Sequence, residues 1–125
     1  MTFSSEESAI LFDKLKSAVA VLERQIGAPA DETHIMASIQ AFEFCYELGW
    51  KWLKAELEAQ GLNAVSPREV FRLSGQVGLI DSVELWISFL QQRNLTSHTY
   101  QEATANKVYK FVKASFAPEI KRLIT

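Results

Sequence analysis

THIMASIQAFEFCYELGWKWLKAELEAQ, residues 33–60, is the stretch that decides the fold. It runs without proline, holds Gly49 as its one glycine, and meets the next glycine at Gly61. Ile35, Ile39, Phe42, Tyr46, Trp50, Leu53 and Leu57 recur at spacings of three and four, the period of one helical face. The spacing predicts a helix over about Thr33 to Gln60, ~40 Å long at ~1.5 Å per residue. Trp52 and Phe44 fall off that stripe, so more than one face of the helix should be covered.

The same pattern extends outward on both sides. A first helix is expected from about Ser5 to Ile26, with Ser4 as its cap, Glu7 in its first turn, and Phe12, Leu15, Val19, Leu22 and Ile26 on one face. Gly27 and Pro29 end it. Downstream, Ser66, Pro67 and Glu69 form a start signal for a short third helix that ends near Gly75 to Gly78. Asp81 with Glu84 should open a fourth, carrying Leu85, Trp86, Phe89, Leu90 and Arg93. Thr99 with Glu102 should open a last helix to about Leu123, with Val108, Phe111, Val112, Phe116 and Ile120 inward and a kink or break at Pro118. The expected fold is all-α, an up-and-down four-helix bundle with one extra short helix, in a single domain over residues 1–125.

Composition agrees. The 125 residues are 48% apolar and 22% charged, ordinary for a globular domain, which excludes disorder and a two-domain enzyme. Five glycines and three prolines leave few turns and favour long helices. One cysteine and two histidines make a structural zinc site unexpected, and neither a metal nor a cofactor is expected. The start lacks a secretion signal and no apolar run is long enough to span a membrane, so a cytoplasmic protein is expected. A net charge of −2 gives no support for a broad grip on nucleic acid or an anionic membrane.

Chemistry concentrates in Arg93-Asn94-Leu95-Thr96-Ser97-His98-Thr99-Tyr100, which joins the fourth helix to the fifth. A guanidinium, an imidazole, a phenol, an amide and hydroxyls meet there at an element junction, where side chains can converge without being sealed in a core. Two readings stand for Arg93 and His98: a site, or a structural pairing of Arg93 with a helix C-terminus and of His98 with a backbone carbonyl. Gln40, Glu43, Glu47, Lys51 and Lys54 form a second cluster on the long helix, which is either a solvated stripe or the wall of a groove between aromatic flanks. His34, at a helix start, and Cys45, between Phe44 and Tyr46, read as structural. Lys107, Lys110 and Lys113 are either a local basic strip or plain surface.

Phe42 to Lys51, the Ser66-Pro67-Arg68-Glu69 start and the Arg93 to Tyr100 segment resemble the nucleotidyltransferase substrate-binding proteins of the HEPN superfamily. The resemblance implies a small helical protein, commonly dimeric, that acts with a minimal nucleotidyltransferase encoded nearby as one half of a toxin-antitoxin-type module. It also implies an alternative, a metal-independent ribonuclease toxin that is silenced when its partner adenylylates a tyrosine. Carried onto this chain, Arg93 and His98 are the catalytic pair and Tyr100 is the modified residue. The reading of the stripe and the junction adds Asn94, Ser97, Glu43, Glu47 and Lys51 as candidates for a groove, with RNA or a nucleotide as its ligand. A dimeric scaffold without a site is the third reading.

The chemistry fits these roles independently. Metal-free RNA cleavage needs a base, an acid and a cation for the phosphorane charge. One imidazole does not easily serve as both base and acid, so a two-fold dimer supplying a second His98 would help. Fourteen aromatic residues, with Trp52 and Phe44 off the main stripe, likewise suggest a homodimer that buries part of the second and last helices.

Overall fold

The computed structural model describes residues 5–125. Helix α1 covers Glu6–Ile26, α2 Glu32–Ala59, α3 Pro67–Gln76 and α4 Val83–Leu95. A 3₁₀ turn, Thr96–His98, leads to α5, Glu102–Phe111. A π-turn, Val112–Phe116, then connects to α6, Ala117–Ile124. No strand occurs among the described residues. The class is all-α, as the periodicity predicts: α1, α2, α4 and the α5–α6 run form the bundle, and α3 is the extra short helix.

Three helix starts differ from expectation. Ser4 lies outside the described residues, and the cap of α1 is Ser5, whose side chain and that of Ser8 each accept the other's backbone N–H. Helix α4 is capped by Ser82, which accepts the Leu85 N–H at 3.1 Å. Asp81 is instead tied to Arg122 Nη1 of α6 at 2.9 Å. Thr99 does not cap α5: its hydroxyl donates to the Thr96 carbonyl at 3.1 Å, and Gln101 occupies the cap position without a side-chain bond. The Ser66-Pro67 start holds, with Ser66 Oγ accepting the Glu69 N–H.

Two helix ends need a left-handed residue. Gly61 at φ 80° and Gly78 at φ 82° supply it. The next N–H then reaches back across the turn, Leu62 to the Leu57 carbonyl and Leu79 to that of Ser74, each at 2.9 Å. Near the C-terminus the π-turn reconciles Pro118 with a continuous helix. Proline has no N–H and its ring crowds the preceding turn. Widening that turn, with the Ala117 N–H bonded to the Val112 carbonyl, accommodates it, and the flanking backbone stays right-handed helical.

The core is a chain of aromatic rings crossing the bundle. Phe42 meets Phe116 at 4.7 Å between centroids, Phe116 meets Phe89 at 4.9 Å, Phe89 meets Trp86 at 5.1 Å, and Trp86 meets Phe71 at 5.4 Å. Each contact joins different segments or successive turns in edge or tilted geometry, which favours ring quadrupoles. Trp52, off the main stripe of α2, is a core residue that packs on Phe12 of α1 at 5.4 Å. It therefore offers no area for a dimer. Phe44 stays 55% exposed, with Met36 also exposed two turns earlier on α2. No described helix is long and apolar enough to cross a membrane.

Behind the rings lies a polar tie not evident in the sequence. Glu119 of α6 is buried, accepts the buried Trp86 indole N–H at 3.1 Å, and holds Arg122 through two bonds of 2.9 and 2.8 Å. Arg122 continues to Asp81, so one network fastens α6 to the start of α4.

Candidate functional site

Arg93 sits in the last turn of α4, where the chain tightens into the 3₁₀ turn. Its Nη1 lies 2.9 Å from Glu43 Oε2 and donates to Thr96 Oγ1 at 2.7 Å, while its Nε lies 3.6 Å from Glu47 Oε1. Glu43 and Glu47 are one turn apart on α2, so both carboxylates face the same guanidinium. The Thr96 hydroxyl accepts from Arg93, and its single proton has two acceptors in reach, Glu43 Oε2 at 3.1 Å and the Arg93 carbonyl at 2.7 Å. Thr96 is buried, and the sequence reading assigned it no role. Its signal was its position three residues after Arg93, at helical contact distance.

The second cluster is thus partly a site wall and partly solvated surface. Glu43 and Glu47 converge on Arg93, whereas Lys51 is exposed and lines no cleft with it, and Lys54 pairs with Glu58 at 2.7 Å. Arg93 does not cap a helix C-terminus by itself; it braces α4 against α2. One guanidinium facing two carboxylates leaves the cluster without surplus positive charge for a phosphate.

A cleft of about 340 Å³ opens beside the cluster, lined by Tyr46, Glu47, Trp50, Pro67, Leu90, Arg93, Asn94 and Ser97. It brings together four of the expected residues: Arg93, Asn94, Ser97 and Glu47. Trp50 presents its indole N–H to Glu47 Oε2 at 3.2 Å. Tyr46 lines the cleft, and its buried hydroxyl has no hydrogen-bond partner among the described residues. Burial, reinforced by the Glu47 charge, raises its proton affinity against the opposing pull of Arg93 and Arg68.

His98 and Tyr100 face elsewhere. The His98 side chain is exposed and makes no hydrogen bond or ion pair among the described residues, and its ring lies 6.1 Å from that of Tyr100. Tyr100 is 76% exposed. It lines a different cavity of about 490 Å³, shared with Glu32, Ile35, Met36, Glu102 and Ala105. Arg93 and His98 are close in sequence, yet among the described residues no hydrogen bond or ion pair joins their side chains. The carboxylates of Glu32 and Glu102 also offset the positive field of the α5 start that would favour an anion at Tyr100.

The residues read as structural are so. The His34 N–H and ring both engage the Asp31 carboxylate at 2.8 Å, and that N–H is the main cause holding the Asp31 carboxyl below its usual range. Cys45 is fully buried, and burial pushes its thiol up to about 12. Native protein should therefore resist a thiol-specific alkylating reagent at pH 8 and react at once when unfolded in denaturant. Mass spectrometry of the two samples checks this. Lys113 lies over the Tyr109 ring at 6.0 Å, and Lys107 and Lys110 are exposed.

Arg93→Ala should lower the melting temperature by about 2–5 °C, because the lost ties are half-exposed and exposed ion pairs contribute only ~0.2–1 kcal/mol. Calorimetry alongside His98→Ala, which should leave the transition where it is, separates the bracing residue from the free one.

A small all-α bundle with an open cleft where α4 meets the long second helix is the class that the fold and site define. The family described as nucleotidyltransferase substrate binding protein like matches residues 11–125, and the chain belongs to that family. A Haemophilus influenzae structure described as the fold of a substrate binding domain of a nucleotidyltransferase superposes with a TM-score of 0.81. It is 29% identical and covers 90% of this chain and 96% of its own. A Thermus thermophilus crystal structure is 32% identical, with a TM-score of 0.75, covering 88% of this chain and 92% of its own. The chain is also 36% identical over 83 residues to a Haemophilus influenzae protein called probable ribonuclease HepT. That match spans 62% of this chain and 57% of the relative's length.

Proposed function

We propose that this chain is the substrate-binding and partner subunit of a minimal nucleotidyltransferase encoded nearby, as one half of a toxin-antitoxin-type pair. The observation that carries the reading is Tyr100: a phenol 76% exposed, two residues from an unpaired imidazole, on a turn held in place by the Glu43–Arg93–Thr96 brace. A modifying enzyme needs its acceptor hydroxyl outside the core, and the exposure of Tyr100 meets that condition. Met36 and Phe44 leave apolar area exposed on the same long helix, which supports a homodimer or a partner contact there.

The test is to incubate the full chain with that nucleotidyltransferase, ATP and magnesium. One or more AMP units on Tyr100, absent in Tyr100→Phe, is the expected mass change. No modification together with no association on a sizing column would leave the scaffold reading.

A second reading, a metal-independent ribonuclease, is favoured by the free His98 imidazole and by the similarity to the probable ribonuclease. Arg93 is partly neutralised within one chain by Glu43 and Glu47, and among the described residues no hydrogen bond or ion pair joins it to His98. Cleavage through both residues would then be served by a second copy that brings an imidazole to the Arg93 cleft. Ribonuclease activity from a protein that sediments as a monomer would refute the shared site.

A further inference from the structure

We propose that the cleft between α2, α3 and α4 is a guanine pocket, with Glu47 accepting from the base's N1–H and 2-amino group and Arg93 donating to its 6-oxo oxygen. The inference names a ligand for the substrate-binding reading above and rests on it. Three observations carry it.

The first is shape: the cleft, about 340 Å³, has apolar walls in Trp50, Pro67 and Leu90, suited to a flat ring rather than a bare phosphate. The second is the set of polar groups its lining residues carry. Arg93 Nε and Glu47 Oε1 lie side by side at 3.6 Å, and the two side chains are 32% and 40% exposed. Among the described residues Arg93 Nη2 has no partner, so it is a donor the cleft can use. Arg93 Nη2 and the two Glu47 oxygens together offer one donor and two acceptors. The pairing edge of guanine presents acceptor, donor, donor. Adenine satisfies one donor and one acceptor of that set, and uracil sets a carbonyl oxygen against the second carboxylate oxygen, where the two repel. Glu47 Oε2 already accepts from Trp50 and retains a lone pair for the 2-amino group.

The third observation is Tyr46. Tyr46 lines the cleft and is 1% exposed, and its buried hydroxyl has no partner among the described residues and lies within the electrostatic reach of Glu47, Arg93 and Arg68. Kept protonated by burial, it is a second donor for the 6-oxo oxygen, which has two lone pairs. Asn94 and Ser97 at the rim remain for the sugar.

The experiment is calorimetric titration of the full chain with the 5′-monophosphates of guanosine, adenosine, uridine and cytidine, and with inorganic phosphate. GMP should bind about tenfold tighter than AMP and tighter still than UMP or CMP, the scale of discrimination from one good bidentate pair. Inorganic phosphate should not displace it. Glu47→Gln, checked for folding by circular dichroism, should bring GMP and AMP to near parity, and amide shifts in the wild-type protein should centre on Tyr46, Trp50 and Arg93. Equal binding of all four nucleotides, displacement by phosphate, or no GMP binding at about millimolar concentration overturns the pocket. Association with the nucleotidyltransferase is measured separately. If it persists while GMP fails to bind, the pocket falls and the partner reading stands; if GMP binds without association, the pocket stands and the partner reading falls.

Discussion

Glu119→Ala should lower the melting temperature by about 10 °C, corresponding to ~2–3 kcal/mol in a domain of this size. The carboxylate is 7% exposed and serves two clients: the Trp86 indole N–H, itself fully buried, and the Arg122 guanidinium. Truncation leaves the indole donor without an acceptor in the core, a loss of ~1–3 kcal/mol, and opens a gap beside the largest ring of the aromatic chain. Arg122 is half exposed and still has Asp81, so its released charge adds little. Glu119→Gln keeps an acceptor for Trp86 and gives up only the ionic part, so it should cost about a third as much. Thermal unfolding of both variants checks the ranking. Equal losses would mean that the ion pair, not the indole bond, holds α6.

The second large effect concerns reaction rather than stability. If the ribonuclease reading holds, His98→Ala should reduce RNA cleavage by about 10²–10⁴-fold, the usual contribution of a positioned acid or base. Because the exposed imidazole has no hydrogen bond or ion pair among the described residues and its ring meets that of Tyr100 at 6.1 Å, the melting temperature should not move. Mixing His98→Ala with Arg93→Ala gives a sharper readout. In a two-fold dimer whose site takes Arg93 from one copy and His98 from the other, mixed dimers regain one intact site, so activity should partly return. Absence of recovery, with dimer exchange verified, would confine both residues to one chain's site or to none.

Much of this molecule is decided by local pattern. The three-and-four spacing along residues 33–60 fixes α2 because a helix side face repeats at that period whatever it packs against. The Ser66-Pro67 start and the glycines after α2 and α3 work through bonds within a few residues. The Arg93 to Tyr100 segment stood out because its residue types are dense in chemistry, and the structure does put them at a junction of elements. Exposure of Phe44 and burial of Trp52 were not legible, since both lie off the α2 stripe and only the position of α1 with Phe12 distinguishes them.

What tertiary structure alone decided are the pairings between distant segments. Asp81 and Ser82 are equally good caps by type, and an ion pair from Arg122 on α6 leaves the cap to Ser82. Thr96 meets Glu43 across 53 residues, and Trp86 meets Glu119 across 33. Residue identity sets which groups can bond, but at such separations the packing of helices against one another sets which of them meet. For the same reason Arg93 and His98, neighbours in sequence, differ in their partners: the carboxylates of α2 hold Arg93, while His98, at the end of the 3₁₀ turn, bonds neither of them.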